Sequence, residues 1–452
     1  MNALTALYNS YNTAEKNNLV GKTELIKEKT VLLPIFHTNK RSKGNDIIQI
    51  TLTKGGEFIK ADWVAKDEYI IFPVTENSIA RSSGVAAHPL SDEMSYLSKE
   101  INLKRHEDYI EQLLGWHDYI EQDNHNDTFI SIKNYILKET IYMDVVKGIL
   151  GDIFFEISDK YIVHYKDNKG KEIKWKLDKI FITFQVENHD PMKENYTVTT
   201  DKSLHNNYIA YVQAKNNDRE QNVCNISNKS TYCLSKHRGI LGSSKLISVS
   251  NNDETYYGRF QSGEEITSIG YETSQKAHLM LKYLLENRNN SRKLGNSTYM
   301  VSWFSDDIEN NQDLQVANSI LLDNRDELED DLDLDTDEIS DTNDSFGGQF
   351  AKELNDYLSG KEKTISHESM YYVLIIDKIS NGRVSIKYFR QIPKSDLIER
   401  VGDWYKSTSW TSYNYRLGKM VKQSPSLYQL ADYILGKEVK EKERAKIICK
   451  ND

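Results

Sequence analysis

Only three cysteines occur in 452 residues, too few for a disulfide framework and in keeping with a reducing, cytoplasmic setting. No stretch of 18 or more apolar residues is present, so no membrane-spanning helix is expected. Met1 to Tyr11 lacks a basic region followed by an apolar run, and a secretory signal is not expected. No glycine-rich loop ends in Gly-Lys-Ser/Thr, which excludes a P-loop. Nucleophile-elbow, zincin and kinase signatures are missing too.

Positive charge is in deficit, 58 Lys and Arg against 68 Asp and Glu for a net charge of −10. The deficit is local. Asp306 to Asp344 holds 16 acidic residues and one basic residue, Arg325, so the rest of the chain carries +5. A mildly basic body remains able to hold a polyanion. The acidic stretch, with few aromatics, cannot build a core and is expected to be mobile.

The length calls for two or three folding units. Residues 1–20 show a helical face of Leu4, Leu7, Tyr8 and Tyr11. Residues 47–75 alternate as strands through Ile48, Ile50 and Leu52, with a Gly55-Gly56 turn. From Asp92 to Leu150 the period becomes helical, with Tyr109, Leu113, Trp116 and Ile120 in one stripe. Strands are expected over 153–186, at Tyr208 to Val212 and at Tyr299 to Phe304, with a helix near 273–287. After the acidic stretch, Ser380-Asn381-Gly382 joins strands Tyr371 to Ile376 and Val384 to Phe389, and helices follow near 394–406 and 425–435. The fold class is α+β. It comprises a strand-rich body over 1–305 with inserted helices and candidate DNA-reading loops, an acidic segment over 306–350, and a smaller α/β part over 351–452.

Cys224, Cys233 and His237 are too widely spaced for a zinc site and lack a fourth ligand, so the cysteines read as small buried hydrophobes. Asp331, Asp333, Asp335 and Asp337 alternate like a calcium loop but lack its central glycine and closing glutamate. His37, His88 and His164 sit in no acid–base spacing and read as core or surface residues. No catalytic residue, metal or cofactor is expected.

Arg81-Ser82-Ser83-Gly84 sets two hydroxyls and a permissive glycine beside an arginine, which suits a loop at a groove or phosphate and equally an ordinary turn. Lys236-His237-Arg238-Gly239 and Gly242-Ser243-Ser244-Lys245 alternate basic residues with glycines and hydroxyls, a better pattern for backbone amides that approach an anion, or else a solvated hairpin loop. Tyr256-Tyr257-Gly258-Arg259-Phe260-Gln261 puts aromatics beside Arg259 and Gln261, for stacking or wedging, or for a core strand.

In colinear order these motifs resemble the large subunit of the type I-C CRISPR interference complex (Cascade), Cas family eight, subtype c. Arg81 to Gly84 leads to Asp92 and Tyr96. Cys224 precedes the basic loop Lys236 to Lys245 and the strand Leu246-Ile247-Ser248-Val249. Tyr256-Tyr257-Gly258 is followed by Gln261, then by the helix at 273–287, the strand Tyr299 to Trp303, Tyr371-Tyr372-Val373-Leu374 and the basic strand Arg383 to Phe389. Members usually continue into a helical region equivalent to the small subunit, whereas this chain stops near 452.

The resemblance implies a non-enzymatic subunit at the crRNA 5′ end of a ribonucleoprotein. Its partners would be the crRNA, the fifth- and seventh-family Cas subunits, a small subunit and a recruited helicase–nuclease. It would recognise the protospacer-adjacent motif (PAM) in duplex DNA, help open it and hold the displaced strand in the R-loop, while guide pairing reads the sequence. Arg81, Ser82, Ser83, Gly84 and Gln261 are the candidate PAM contacts. Lys236, His237, Arg238, Ser243, Ser244, Lys245 and Arg259 are the candidate backbone contacts. The other classes open to this sequence are an independent nucleic-acid-processing enzyme and an acidic protein that mimics DNA.

Overall fold

Ile47 to Leu52 is almost wholly apolar and buried on both faces, the signature of a strand inside a sheet covered on both sides. In the computed structural model it is the second strand of a four-stranded sheet. The structure describes residues 1–423 except 24–25, 27–29, 82–83, 122–125, 168, 189–191, 193, 235, 249–265, 288, 295, 307, 309–368 and 415–418. The expected acidic mobile segment, apart from its first residues, and the helix near 425–435 lie outside the described residues. Helices and strands are mixed in an α+β fold. The chain divides into two compact units, Glu15–Met280 and a second formed by Met1–Ala14 with Leu281–Asp452.

Helix α1 (Ala3–Lys16) opens the chain, and its buried side is Ala3, Ala6, Leu7, Ser10, Tyr11 and Ala14. In the Glu15–Met280 unit, β1 (His37–Arg41) pairs with β4 (Tyr69–Pro73). Strand β2 (Ile47–Leu52) is antiparallel to β3 (Phe58–Trp63) and parallel to β8 (Phe181–Val186), which β9 (Tyr196–Thr197) extends. The β2–β3 turn comes so close to α5 (Asp127–Ile136) that a Cβ on Gly56 would lie 2.6 Å from the Ser131 carbonyl, and Gly56 has φ +82°. Only glycine meets both demands.

Helices α2 (Glu76–Ile79), α3 (Met94–Leu97), α4 (Leu103–Glu121) and α6 (Ile141–Leu150) complete the span between β4 and β5 (Phe155–Ile157). As the three- and four-residue spacing requires, Tyr109, Leu113, Trp116 and Ile120 are all buried. The Trp116 indole packs 4.6 Å from Phe129 and 4.8 Å from Tyr208, and it donates to Asn207 Oδ1 at 2.7 Å. Strands β5, β6 (Ile162–Lys166) and β7 (Glu172–Lys176) form a separate sheet whose apolar side meets β3 through Trp63 and Trp175.

Tyr208 to Val212, expected as a strand, lies inside helix α7 (Lys202–Asn217). Asp201 caps it by accepting from Leu204 N, and Leu204, Tyr208 and Val212 recur at four-residue intervals on its buried side. The cap and the longer period overrule the local alternation. Two short hairpins follow, β10 (Asn222–Val223) with β11 (Ser230–Thr231), and β12 (Gly239–Leu241) with β13 (Ser244–Lys245). Helix α8 (Tyr271–Glu286) carries the boundary between the units.

In the other unit, β14 (Ser291–Lys293), β15 (Thr298–Phe304), β16 (Met370–Ser380) and β17 (Arg383–Pro393) form an antiparallel sheet. Strand β15 precedes the acidic segment and β16 follows it, so this sheet is built from both sides of that segment. Trp303 is fully buried, 5.0 Å from Tyr372, and donates to Ser10 Oγ of α1 at 2.8 Å. Helix α9 (Lys394–Thr408) covers part of the sheet with Leu397, Ile398 and Val401 against Phe304 and Tyr371. Strands β18 (Trp410–Asn414) and β19 (Lys419–Gln423) pair after it.

Candidate nucleic-acid interface

Arg81 follows α2, whose Thr75 and Ser78 form a reciprocal capping box. Its guanidinium donates two bonds of 3.0 Å to the two carboxylate oxygens of Asp92 and a third, of 2.9 Å, to the Ala86 carbonyl. Asp92 is fully buried and also accepts the backbone N–H of His88 at 2.8 Å and of Glu93 at 2.7 Å. Arg81 lies 4.6 Å from the centre of the Tyr96 ring, and Arg105 lies 5.0 Å from the same ring. Arg105 in turn holds Ser95 Oγ at 2.7 Å and pairs with Glu93 at 3.5 Å.

This latch closes both ends of the loop that carries Ser82, Ser83 and Gly84. Gly84 is exposed at φ +89°, with open space around it. Ser82 and Ser83 lie outside the described residues. The Arg81 fork is engaged by a buried carboxylate rather than held out toward solvent.

The second loop splits in two. Lys236 and the Gly242-Ser243 turn are exposed, and Lys245 is half-buried. Burial lowers the Lys245 pKa, and the Lys236 charge lowers it further. Gly239 packs against the Gly242 carbonyl where no Cβ fits.

His237, Arg238 and Ser244 point inward and are corrected as phosphate contacts. Arg238, 3% exposed, donates to Gln275 Oε1 at 3.1 Å, the His37 carbonyl at 3.3 Å and Thr38 Oγ1 at 3.3 Å. His237 Nδ1 is 2.8 Å from Ser274 Oγ, and its ring lies parallel to His278 at 5.8 Å. Burial, then the His278 and Lys245 charges, push the His237 pKa down to about 3, so it brings no charge to a phosphate at neutral pH. Ser244 is fully buried. These inward residues fasten the hairpin to β1 and α8. Arg259 and Gln261 lie outside the described residues, as does the rest of the Tyr256 to Gln261 motif.

His37 and His88, read from the sequence as core or surface residues, are buried, as are His205, His237 and His278 of the same unit. His37 lies 4.5 Å from His205, and His88 Nδ1 is 2.8 Å from Ser78 Oγ. Among the described residues, the Nε2 atoms of His37, His237 and His278 are buried without a hydrogen-bond partner. Cys224 is buried and accepts the Ser227 N–H, while Cys233 contacts Ser268 Oγ at 3.2 Å. Among the described residues no three His, Cys, Asp or Glu side chains gather to hold a metal ion, and no helix is long and apolar enough to cross a membrane.

No curated protein matches the chain. The family model described as CRISPR-associated protein (Cas_Csd1) matches residues 7–450, nearly the whole length. The match takes in the Arg81 latch, the lysine hairpin and both units. The chain belongs to the Cas_Csd1 family of CRISPR-associated proteins, the family of the type I-C Cascade large subunit.

Proposed function

We propose that this chain is the non-catalytic, PAM-reading subunit of a type I-C Cascade. It acts in the cytoplasm beside the crRNA, the fifth- and seventh-family Cas subunits and a small subunit. It contacts a short duplex tag, helps separate the strands and receives the helicase–nuclease that makes the cut. The observation that carries the reading is the β12–β13 hairpin. Burial and then the Lys236 charge lower the Lys245 pKa, and neither lysine has an ion-pair partner among the described residues. The Gly242-Ser243 turn between the hairpin strands is exposed. A pair of like charges beside a glycine turn is relieved by an anion, and a phosphate is the anion that duplex DNA supplies. Guide pairing supplies sequence recognition, so a body of modest positive charge is sufficient.

The test is target binding by assembled complexes over a range of salt. Lys236→Ala and Lys245→Ala are each expected to weaken all targets alike and to flatten the salt slope by about one unit. Gln261→Ala is expected instead to reduce discrimination between right and wrong PAMs, by roughly 1–3 kcal/mol for a lost bidentate contact. Unchanged slopes for both lysine variants would remove the hairpin from the DNA path. Divalent-metal-dependent cleavage by the purified chain, abolished by a single carboxylate substitution, would overturn the non-catalytic assignment.

A further inference from the structure

Helix α8 turns a stripe of polar residues toward the interior of the Glu15–Met280 unit. Tyr271, Ser274, Gln275 and His278 follow at three- and four-residue spacing, so they share one face, and each is 4% exposed or less. Against that face lie Arg238, at the root of the β12–β13 hairpin, and His37, the first residue of β1. Arg238 Nη1 donates both to Gln275 Oε1 at 3.1 Å and to the His37 carbonyl at 3.3 Å. The Phe36 ring lies 4.7 Å from Tyr271. Burial lowers the pKa of His37 and His278 and raises that of Tyr271, and the Arg238 charge lowers all three, which places the guanidinium within electrostatic reach of each.

Around Arg238, His37 Nε2, His278 Nε2 and Tyr271 Oη are buried with no hydrogen-bond partner among the described residues. His237 Nε2, on the ring that lies parallel to His278, is in the same condition. Two of these atoms have a fixed role. His37 Nδ1 is 2.8 Å from the Ile35 carbonyl, and His278 Nδ1 is 2.7 Å from the Ser274 carbonyl. A carbonyl only accepts, so each Nδ1 carries the ring proton and each Nε2 presents a bare lone pair. The Tyr271 hydroxyl can both donate and accept. Two lone pairs cannot satisfy each other, and leaving buried acceptors unmet is costly. Something else must bring the hydrogens.

The donor set selects the ligand. A metal cation would meet the Arg238 charge, and no three His, Cys, Asp or Glu side chains gather to hold one among the described residues. An anion would meet two imidazole lone pairs. A small neutral donor meets neither obstacle, and water is the one that reaches every protein interior. We infer that His37, His278, Tyr271 and Arg238 form a binding site for internal water, which donates to the two imidazole nitrogens and accepts from the Tyr271 hydroxyl. Buried waters ordinarily make about three hydrogen bonds to groups of this kind. The site joins the root of the lysine hairpin to β1 and α8, alongside the direct bonds of Arg238. It holds whether or not the hairpin contacts a nucleic acid.

The experiment is urea unfolding of the full chain with Tyr271→Phe, which removes one hydroxyl and keeps the ring. A hydroxyl bonded to internal water makes this change destabilising, and the unfolding equilibrium constant is expected to rise about fivefold, the effect of one lost hydrogen bond. A hydroxyl that is buried dry gives the opposite sign, because phenylalanine then removes a polar group that was never satisfied. An unfolding constant that is unchanged or lower in Tyr271→Phe overturns the proposal. A crystal structure of the full chain, at a resolution that places waters, reads the site directly. The expected result is a water peak about 3 Å from His37 Nε2 or His278 Nε2. A dry site, an anomalous-scattering peak or a bound anion there overturns the proposal.

Discussion

Replacing Asp92 with alanine is expected to destabilise the Glu15–Met280 unit by about 3–5 kcal/mol, the cost of breaking a buried pair from one side. The carboxylate is fully buried and receives two guanidinium bonds from Arg81 together with the N–H groups of His88 and Glu93. Its removal leaves a guanidinium that is only 19% exposed facing a cavity, and two backbone donors unsatisfied. A loss of that size is a large share of the roughly 5–15 kcal/mol that holds an ordinary domain together. Denaturant unfolding of the full chain measures it. The double variant Arg81→Met with Asp92→Leu should recover part of the loss, because removing both charges leaves no uncompensated ion. If Asp92→Ala unfolds at the parent's denaturant midpoint, the latch contributes nothing and the Arg81 loop is not held from this side.

Acid should unfold the same unit well before ordinary carboxylate protonation is complete. Burial holds the pKa of His88 and His278 at about 4 and that of His237 at about 3, and it also lowers those of His37 and His205. In the unfolded chain each would titrate near 6.5. Below that value the unfolded state takes up protons that the native state refuses. Stability is therefore complete above about pH 6.5 and falls as pH drops toward the native values, by about 1.4 kcal/mol per pH unit for each histidine. Summed over His88, His237 and His278, the loss between about pH 6 and pH 4 is comparable with a typical domain's stability. Urea unfolding at a series of pH values measures the slope. His88→Asn, which keeps a hydrogen-bonding group facing Ser78 and cannot gain a proton, should reduce the slope by about 1.4 kcal/mol per unit. Constant stability between about pH 7 and pH 5 would show that the imidazoles already take up protons in the folded chain.

Much of the fold is legible because its periods are long and clean. The stripe Tyr109, Leu113, Trp116 and Ile120 specifies α4, and Ser380-Asn381-Gly382 specifies the β16–β17 hairpin. Tyr208 to Val212 misleads because five residues alternate like a strand, while the evidence for helix, the Asp201 cap and Leu204, lies just outside that window. The site is less legible. Its basic loops are visible as composition, but composition does not say which side of a strand a base occupies. Arg238 turns inward because Thr38 and Gln275, 200 and 37 residues away, accept from it. Arg81 and Asp92 are 11 residues apart with no periodic relation, so their bidentate pairing comes from the path of the chain between them.

The central claim, that this chain supplies PAM reading to a guide-directed complex, is tested most directly by target binding with the PAM as the one variable. Cascade assembled around the same guide, with and without this subunit, is presented with duplexes identical outside the PAM. The account predicts strong preference for the correct PAM when the subunit is present. It also predicts loss of that preference when the subunit is absent, while binding to an already opened, guide-complementary strand persists in both. Equal PAM preference with and without the subunit would contradict it.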